Sequence, residues 1–231
     1  MDFSFMAKYW LFYLVGAKNT LLLAFLAVLA GSLLGFLVAL ARLSRAPAAR
    51  LAATAYVEVL RGTPLLVQLF IVYYGLQAVG VRFPDFPLAD RLLGIGFSDF
   101  MAGALTLALN SAAYVAEIFR AGIQAVDRGQ SEASRSLGLG RGMTMRYVVF
   151  PQALRNILPA LGNEFVVVIK ESSIVSTIGV AELMYKADTV RGNTFRPFEP
   201  LLVAAACYFL MTFPLSKLLA RIERRMRSGT H

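Results

Sequence analysis

The chain has 231 residues, 58% of them hydrophobic without counting glycine, a formal net charge of +9 and a mean hydropathy of +0.63. Soluble domains are about 45–50% apolar even with glycine included, so this chain has too little polar surface to cover a soluble globule. The only histidine is the terminal His231 and the only cysteine is Cys207, which excludes a His/Cys metal site and an intramolecular disulfide within one chain. A basic soluble domain would suggest nucleic acid; here the positive residues flank apolar runs instead of lining one face, and membrane topology explains them.

A bilayer core about 30 Å thick is crossed by about 20 apolar helical residues. The start, MDFSFMAKYWLFYLVGAKNT, has neither a basic leader nor a small-residue cleavage site before the next apolar run, so the first apolar stretch is expected to be retained as a span. Residues 20–41 carry no charge and form the first span. Residues 62–81 form the second, with 56–61 as its first turns and Pro64 in a first helical turn. The third covers 100–116. The fourth covers 157–181 and is interrupted by Glu164, Lys170 and Glu171; the fifth covers 200–216. The fold expected is an all-α integral membrane protein with about five spans, one transmembrane domain over residues 1–231.

The loops orient it. Between spans one and two lie Arg42, Arg45 and Arg50 with no acid. Between three and four lie Arg120, Arg128, Arg135, Arg141, Arg146 and Arg155 against Asp127 and Glu132. The tail holds Lys217, Arg221, Arg224, Arg225 and Arg227 against Glu223. The other two loops are balanced: Arg82 and Arg91 against Asp85 and Asp90, then Lys186, Arg191 and Arg196 against Glu182, Asp188 and Glu199. Positive loops stay cytoplasmic. The N-terminus is therefore expected outside and the C-terminus inside, in agreement with an odd number of spans.

The cytoplasmic loop, about residues 120–151, contains GQSEASRSLG, which reads as a short helix punctuated by Gly129 and Gly138. Such a helix is too polar to enter the membrane and too short to stand alone, so either its own neighbours or a partner must hold it. The run Glu132-Ala133-Ser134, then Gly138, then Val148 and Phe150-Pro151 resembles the EAA loop of ABC importer permeases, whose pattern is E-A-A, three residues, G, nine residues, I, one residue, L-P. The spacing matches throughout, with Ser134, Val148 and Phe150 as small or apolar exchanges. RGTPLLVQLF, NSAAYVAEIFRAGIQAV, PQALRNILPALGNEFVVVIKESSIVSTIGVAEL and IERRMR, in that order, are similar to permeases of the histidine and glutamine importer type.

That resemblance implies a type I importer permease of a bacterial inner membrane, multi-pass, and a coupling helix from Gly129 through Gln130, Ser131, Glu132, Ala133 and Ser134 to Gly138, with Pro151 closing the motif. It implies two ATPase subunits carrying ATP and magnesium, a second permease subunit, identical or paralogous, an external solute-binding protein and an amino acid as substrate. The chain has no G-x-x-x-x-G-K-[ST] phosphate loop, so no enzymatic activity and no bound cofactor are expected of it. The rival class is a self-sufficient secondary amino-acid transporter, which inverted repeats or a dense intramembrane charge relay would favour; neither is evident.

Polar residues at membrane depth default to functional roles. Asn110, Tyr114 and Glu117 are spaced four and three apart and share a helix face; they line an interior path, or Glu117 merely pairs with Arg120. Asn163, Glu164, Lys170, Glu171, Ser172 and Ser173 either pair among themselves or mark a helix break facing a cavity. An amino acid is a zwitterion, and this cluster offers both a cation and acids to it. Arg61 and Thr63 open the second span and are further candidates; headgroup anchoring is the simpler reading of Arg61. Uptake is expected to depend on Glu164, Lys170 and Ser172 more than on Arg61.

Overall fold

The computed structural model describes residues 1–81, 83, 86–87 and 96–228. Arg82, Asp85, Asp90, Arg91, His231 and the side chain of Arg227, all used above, lie outside the described residues or side chains.

Helix α1 runs Met6–Leu43, 38 residues, well upstream of the first expected span. No proline breaks it, and its glycines serve its packing. Helix α4, Phe97–Gln124, lies along it in the most extensive helix contact of the chain. Gly31 and Gly35, four apart, face α4 so closely that a Cβ on Gly35 would stand 2.7 Å from the Ala112 carbonyl oxygen and from Val115 Cβ. Small residues spaced in this way let backbones approach where lipid removes the hydrophobic drive between helices. Ala24, Ala27, Ala112, Ala113 and Ala116 continue the same seam, fully buried.

Helix α2, Pro47–Gly62, begins with proline at its first turn, and helix α3 covers Leu65–Ala78. The two meet at a bend of 111°. The expectation that residues 56–61 begin the second span is therefore corrected: they end α2. The cause is Pro64, which drives Thr63 into extended geometry, φ −116° and ψ 147°, and which removes a helical N–H. The freed carbonyls are answered locally. Thr63 Oγ1 donates to the Val59 carbonyl at 2.8 Å, and the Gln68 amide donates to those of Leu60 and Thr63 at 2.7 and 3.0 Å.

Helix α5, Arg128–Ser136, and a short turn α6, Arg141–Thr144, lead through a π-helical turn at Met145–Val149 into α7, Phe150–Glu171. A 3-10 helix follows at Ser172–Ile178 and ends on Gly179 at φ +87°, a value that favours glycine. Helices α8, Leu183–Thr194, and α9, Glu199–Ser228, complete the chain. The fourth expected segment thus stays α-helical through Glu164, Lys170 and Glu171 and changes geometry only after them. Among the described residues α1, α4 and α9 are long and apolar enough to cross a membrane, and the bent pair α2–α3 reaches that composition only when joined. α7 is not among them, since it carries Arg155, Glu164, Lys170 and Glu171.

Among the described residues the core has three centres, the smallest being Ala39, Val57 and Ala116 between α1, α2 and α4. Leu23, Leu69, Phe100, Leu107, Val168 and Ile169 bring α1, α3, α4 and α7 together. Phe5, Tyr13, Leu183, Ala187 and Ala204 bind the start of α1 to α8 and α9. At the second centre the Glu182 side chain is fully buried. It caps α8 by accepting from the backbone N–H groups of Met184 and Tyr185 at 2.9 and 2.8 Å, and it also accepts from Tyr208 at 2.9 Å and Thr20 at 3.3 Å. Reading Glu182 as a loop charge was wrong: the carboxylate ties three helices together. The N-terminus is clasped at the same end, where Arg196 donates to the Asp2 carboxylate and carbonyl.

Candidate functional site

A cavity of about 400 Å³ opens between the end of α2, the lower half of α4 and one face of α7. That volume lies within the range of about 300–1,000 Å³ common to small-molecule sites. Arg61, Tyr114, Glu117, Asn163, Glu164 and Glu171 supply its polar lining. Tyr114 and Glu117 reach it because they are three apart on α4; Glu164 and Glu171 reach it because they are seven apart on α7.

Glu117 both lines this cavity and pairs, so the two readings of it hold together. It accepts from Arg42 Nη1 at 2.9 Å and from the Arg120 guanidinium, and Arg61 Nη1 stands 3.9 Å away. One carboxylate thus faces three guanidiniums. Arg61 is held more loosely than Arg42 or Arg120, and it lies over the Tyr114 ring at 5.4 Å from the centroid. Glu164 is buried and accepts from Ser111 Oγ at 2.9 Å. Among the described residues neither Glu164 nor Glu171 has a cation within 4.0 Å.

Several expected residues stand elsewhere. Asn110 donates to Gln68 Oε1 at 2.9 Å and braces the α2–α3 bend. Thr63 belongs to that bend and to a nearly apolar recess between α2, α3 and α4. Lys170 is exposed and does not line the cavity. Ser172 and Ser173 donate to the Ile169 and Lys170 carbonyls, each at 2.8 Å, as hydroxyls at a helix end do. Of the two cations, Arg61 lines the cavity and Lys170 does not. Arg42, Ser111 and Gln68 are the contributors that the sequence reading missed; Arg42 was counted only for its sign, and no local pattern marks the other two.

The second feature is α5. Asp127 caps it by accepting from the Gly129 N–H at 2.6 Å. Gly138 closes it at φ +85°, with its N–H donating to the Arg135 carbonyl and that of Leu139 to Ser134. Glu132 and Ala133 are exposed, and Leu137 is 84% exposed beside them. Ser134 points the other way: it is buried, bonds the Ser131 carbonyl at 3.0 Å and lies 3.3 Å from the Thr144 hydroxyl. It ties α5 to the short turn α6 and does not belong to the outward face. Gln130 meets the Gln152 amide of α7 at 3.3 Å, and Pro151 sits exposed in the first turn of α7.

A helix bundle of this composition with an exposed polar helix on one loop is what a permease partnered by other subunits requires. The family described as "Binding-protein-dependent transport system inner membrane component" matches residues 31–228. The chain belongs to this family. The arginine transport system permease protein of Bacillus subtilis is 37% identical over 229 residues, covering 99% of either chain, and the glutamine transport system permease protein of Escherichia coli is 38% identical over 212 residues, covering 92% of this chain and 91% of its own. A crystal structure of an amino acid ABC transporter with histidines superposes with a TM-score of 0.89 at 52% identity, covering 97% of this chain and 99% of that one. The chain is thus a multi-pass membrane permease subunit of an ABC importer, and membership of the family implies an ATPase and a solute-binding protein as partners.

Proposed function

We propose that this permease carries a polar amino acid and that the α2–α4–α7 cavity is where the permease meets it. The observation that carries this reading is that Arg61, Glu164 and Glu171 line one cavity. The substrate's carboxylate goes to Arg61, whose loose contact with Glu117 can be exchanged for a shorter charge-assisted pair. Its ammonium goes to Glu164 and Glu171. Arg42, Arg61 and Arg120 match Glu117, Glu164 and Glu171 in number, so the site balances a zwitterion, and its carboxylates leave acceptors for a side chain that donates hydrogen bonds. The relatives named for glutamine and arginine transport fit that class.

In this reading α5 docks on a separate ATPase through Glu132, Ala133 and Leu137. ATP and magnesium stay on that partner, since the sequence holds no phosphate loop of its own. Two ATPase subunits, a second permease subunit and an external solute-binding protein complete an inner-membrane machine with this chain's N-terminus outside. Uptake by the reconstituted complex tests the site. Arg61→Ala and Glu164→Gln should each lower the rate at least about tenfold, the loss of one charge-assisted contact of about 1.5–3 kcal/mol, whereas Lys170→Ala should stay near the original. Uptake that falls with Lys170→Ala and survives Arg61→Ala would overturn the assignment.

A further inference from the structure

Two more cavities adjoin the first, and all three open on a single ridge of α7. The second, about 370 Å³, lies between α7 and α9, where Asn156, Pro159, Asn163, Ser216 and Glu223 line it. The third, about 170 Å³, is lined by Asp127, Gln152, Arg155 and Asn156 at the base of the chain. The first and second share Asn163; the second and third share Asn156. Gln152, Asn156, Ala160, Asn163, Val167 and Glu171 are spaced three or four apart, so they form one continuous stripe. At about 1.5 Å per residue this stripe is roughly 28 Å long, close to the thickness of a bilayer core.

We infer that α7 is a track with a second, lower station for the amino acid, built on Asn156 and Asn163 between α7 and α9, through which substrate leaves the charged pocket toward the coupling helix. The inference rests on the pocket reading above. Both asparagines are exposed, and among the described residues neither amide has a hydrogen-bond partner. A free amide on a membrane helix is costly unless it faces water, a ligand or a partner helix, and both amides here line a cavity. Pro159 adds a further acceptor: it has no N–H, so the Arg155 carbonyl one turn earlier has no helical donor. Amides and a carbonyl offer donors to a carboxylate and acceptors to an ammonium without a fixed charge of their own. Such a station holds a zwitterion weakly and lets it go. The track ends beside Asp127, the cap of α5, so departing substrate passes the element that touches the ATPase.

The test uses the full complex in detergent, without nucleotide, in a Cys207→Ser background. Single cysteines are placed at Ala220 (lining the lower cavity), Val167 (upper pocket) and Leu210, which is 68% exposed on α9 and belongs to neither cavity. Each is labelled with a small cationic methanethiosulfonate reagent, with and without arginine or glutamine. At ligand about tenfold above the pocket's dissociation constant, labelling at position 167 should slow roughly tenfold; position 220 should reach the same protection at higher ligand, while position 210 is unaffected throughout. Modification at 220 should block uptake reversibly, with recovery on reduction. Protection at 167 with none at 220 up to saturating ligand overturns the lower station and leaves the pocket standing. Protection at neither overturns both.

Discussion

Glu182→Ala is the sharpest perturbation the fold offers. The carboxylate has no exposed surface and accepts four hydrogen bonds, from Met184, Tyr185, Tyr208 and Thr20. Loss of a helix N-cap alone costs about 1 kcal/mol, at most about 2. The Tyr208 and Thr20 hydroxyls are then left in a space sealed from water, where an unsatisfied polar group costs about 1–3 kcal/mol. The groups share one site and relax together, so the total is about 3–5 kcal/mol, well above the usual cost of a substitution, about 1 kcal/mol. Glu182→Gln keeps one acceptor oxygen, which the Met184 and Tyr185 N–H groups must now share, and its NH2 can donate to the two hydroxyls after they rotate. Its cost is the loss of charge assistance, about 1–2 kcal/mol. Thermal unfolding of the detergent-solubilised permease should therefore rank the original chain above Gln and Gln well above Ala. If Glu182→Ala melts with the original chain, the junction of α1, α8 and α9 does not depend on this carboxylate and the argument fails.

Gly35→Ala should destabilise by about 1–2 kcal/mol, since overpacking against the Ala112 carbonyl outweighs the gain in helix propensity; Gly75→Ala, with open space around it, should be neutral or mildly stabilising, and melting curves of the pair decide it. Ala133→Trp should leave the permease inserted but reduce co-purification of the ATPase, whereas Ser134→Trp should disturb the loop itself, seen as new protease cleavage near Thr144. Arg196 holds the Asp2 carboxyl well below the usual carboxylate range. The folded value is depressed, so the stabilisation is present above the unfolded value of about 3.9 and is lost as pH falls; protease protection of the N-terminus should persist at neutral pH and fail only in strong acid, and Arg196→Ala should remove that dependence.

Much of the architecture was legible because lipid makes hydropathy decisive. α4, α9 and most of α1 stand where apolar runs place them, and α5 lies where Gly129 and Gly138 punctuate it, although its cap, Asp127, was counted only as a loop acid. The α2–α3 corner was not legible as a corner, since an unbroken apolar run does not say whether Pro64 opens a helix or turns it. The buried role of Glu182 was hidden by charge counting, which treats every acid in a short connection as solvated. Helix geometry separates the charged cluster: Glu164 and Glu171 are seven apart and share the face that lines the cavity, while Lys170 lies about 100° off it. Arg61 entered the cavity through a tertiary turn that no local pattern announces.

The corner between α2 and α3 has a mechanical meaning. Its freed carbonyls are answered from within by Thr63 and Gln68, and Gln68 is in turn gripped by Asn110 of α4. Straightening it would break the two bonds by which Gln68 spans the bend, those to the Leu60 and Thr63 carbonyls. The bracing makes it a fixed bracket, which would carry α2 and α3 together as one L-shaped arm. Arg61 sits at the elbow. Any force that tilts α3 would move that guanidinium by leverage, and in the proposed reading its hold on a substrate carboxylate would be released from a distance.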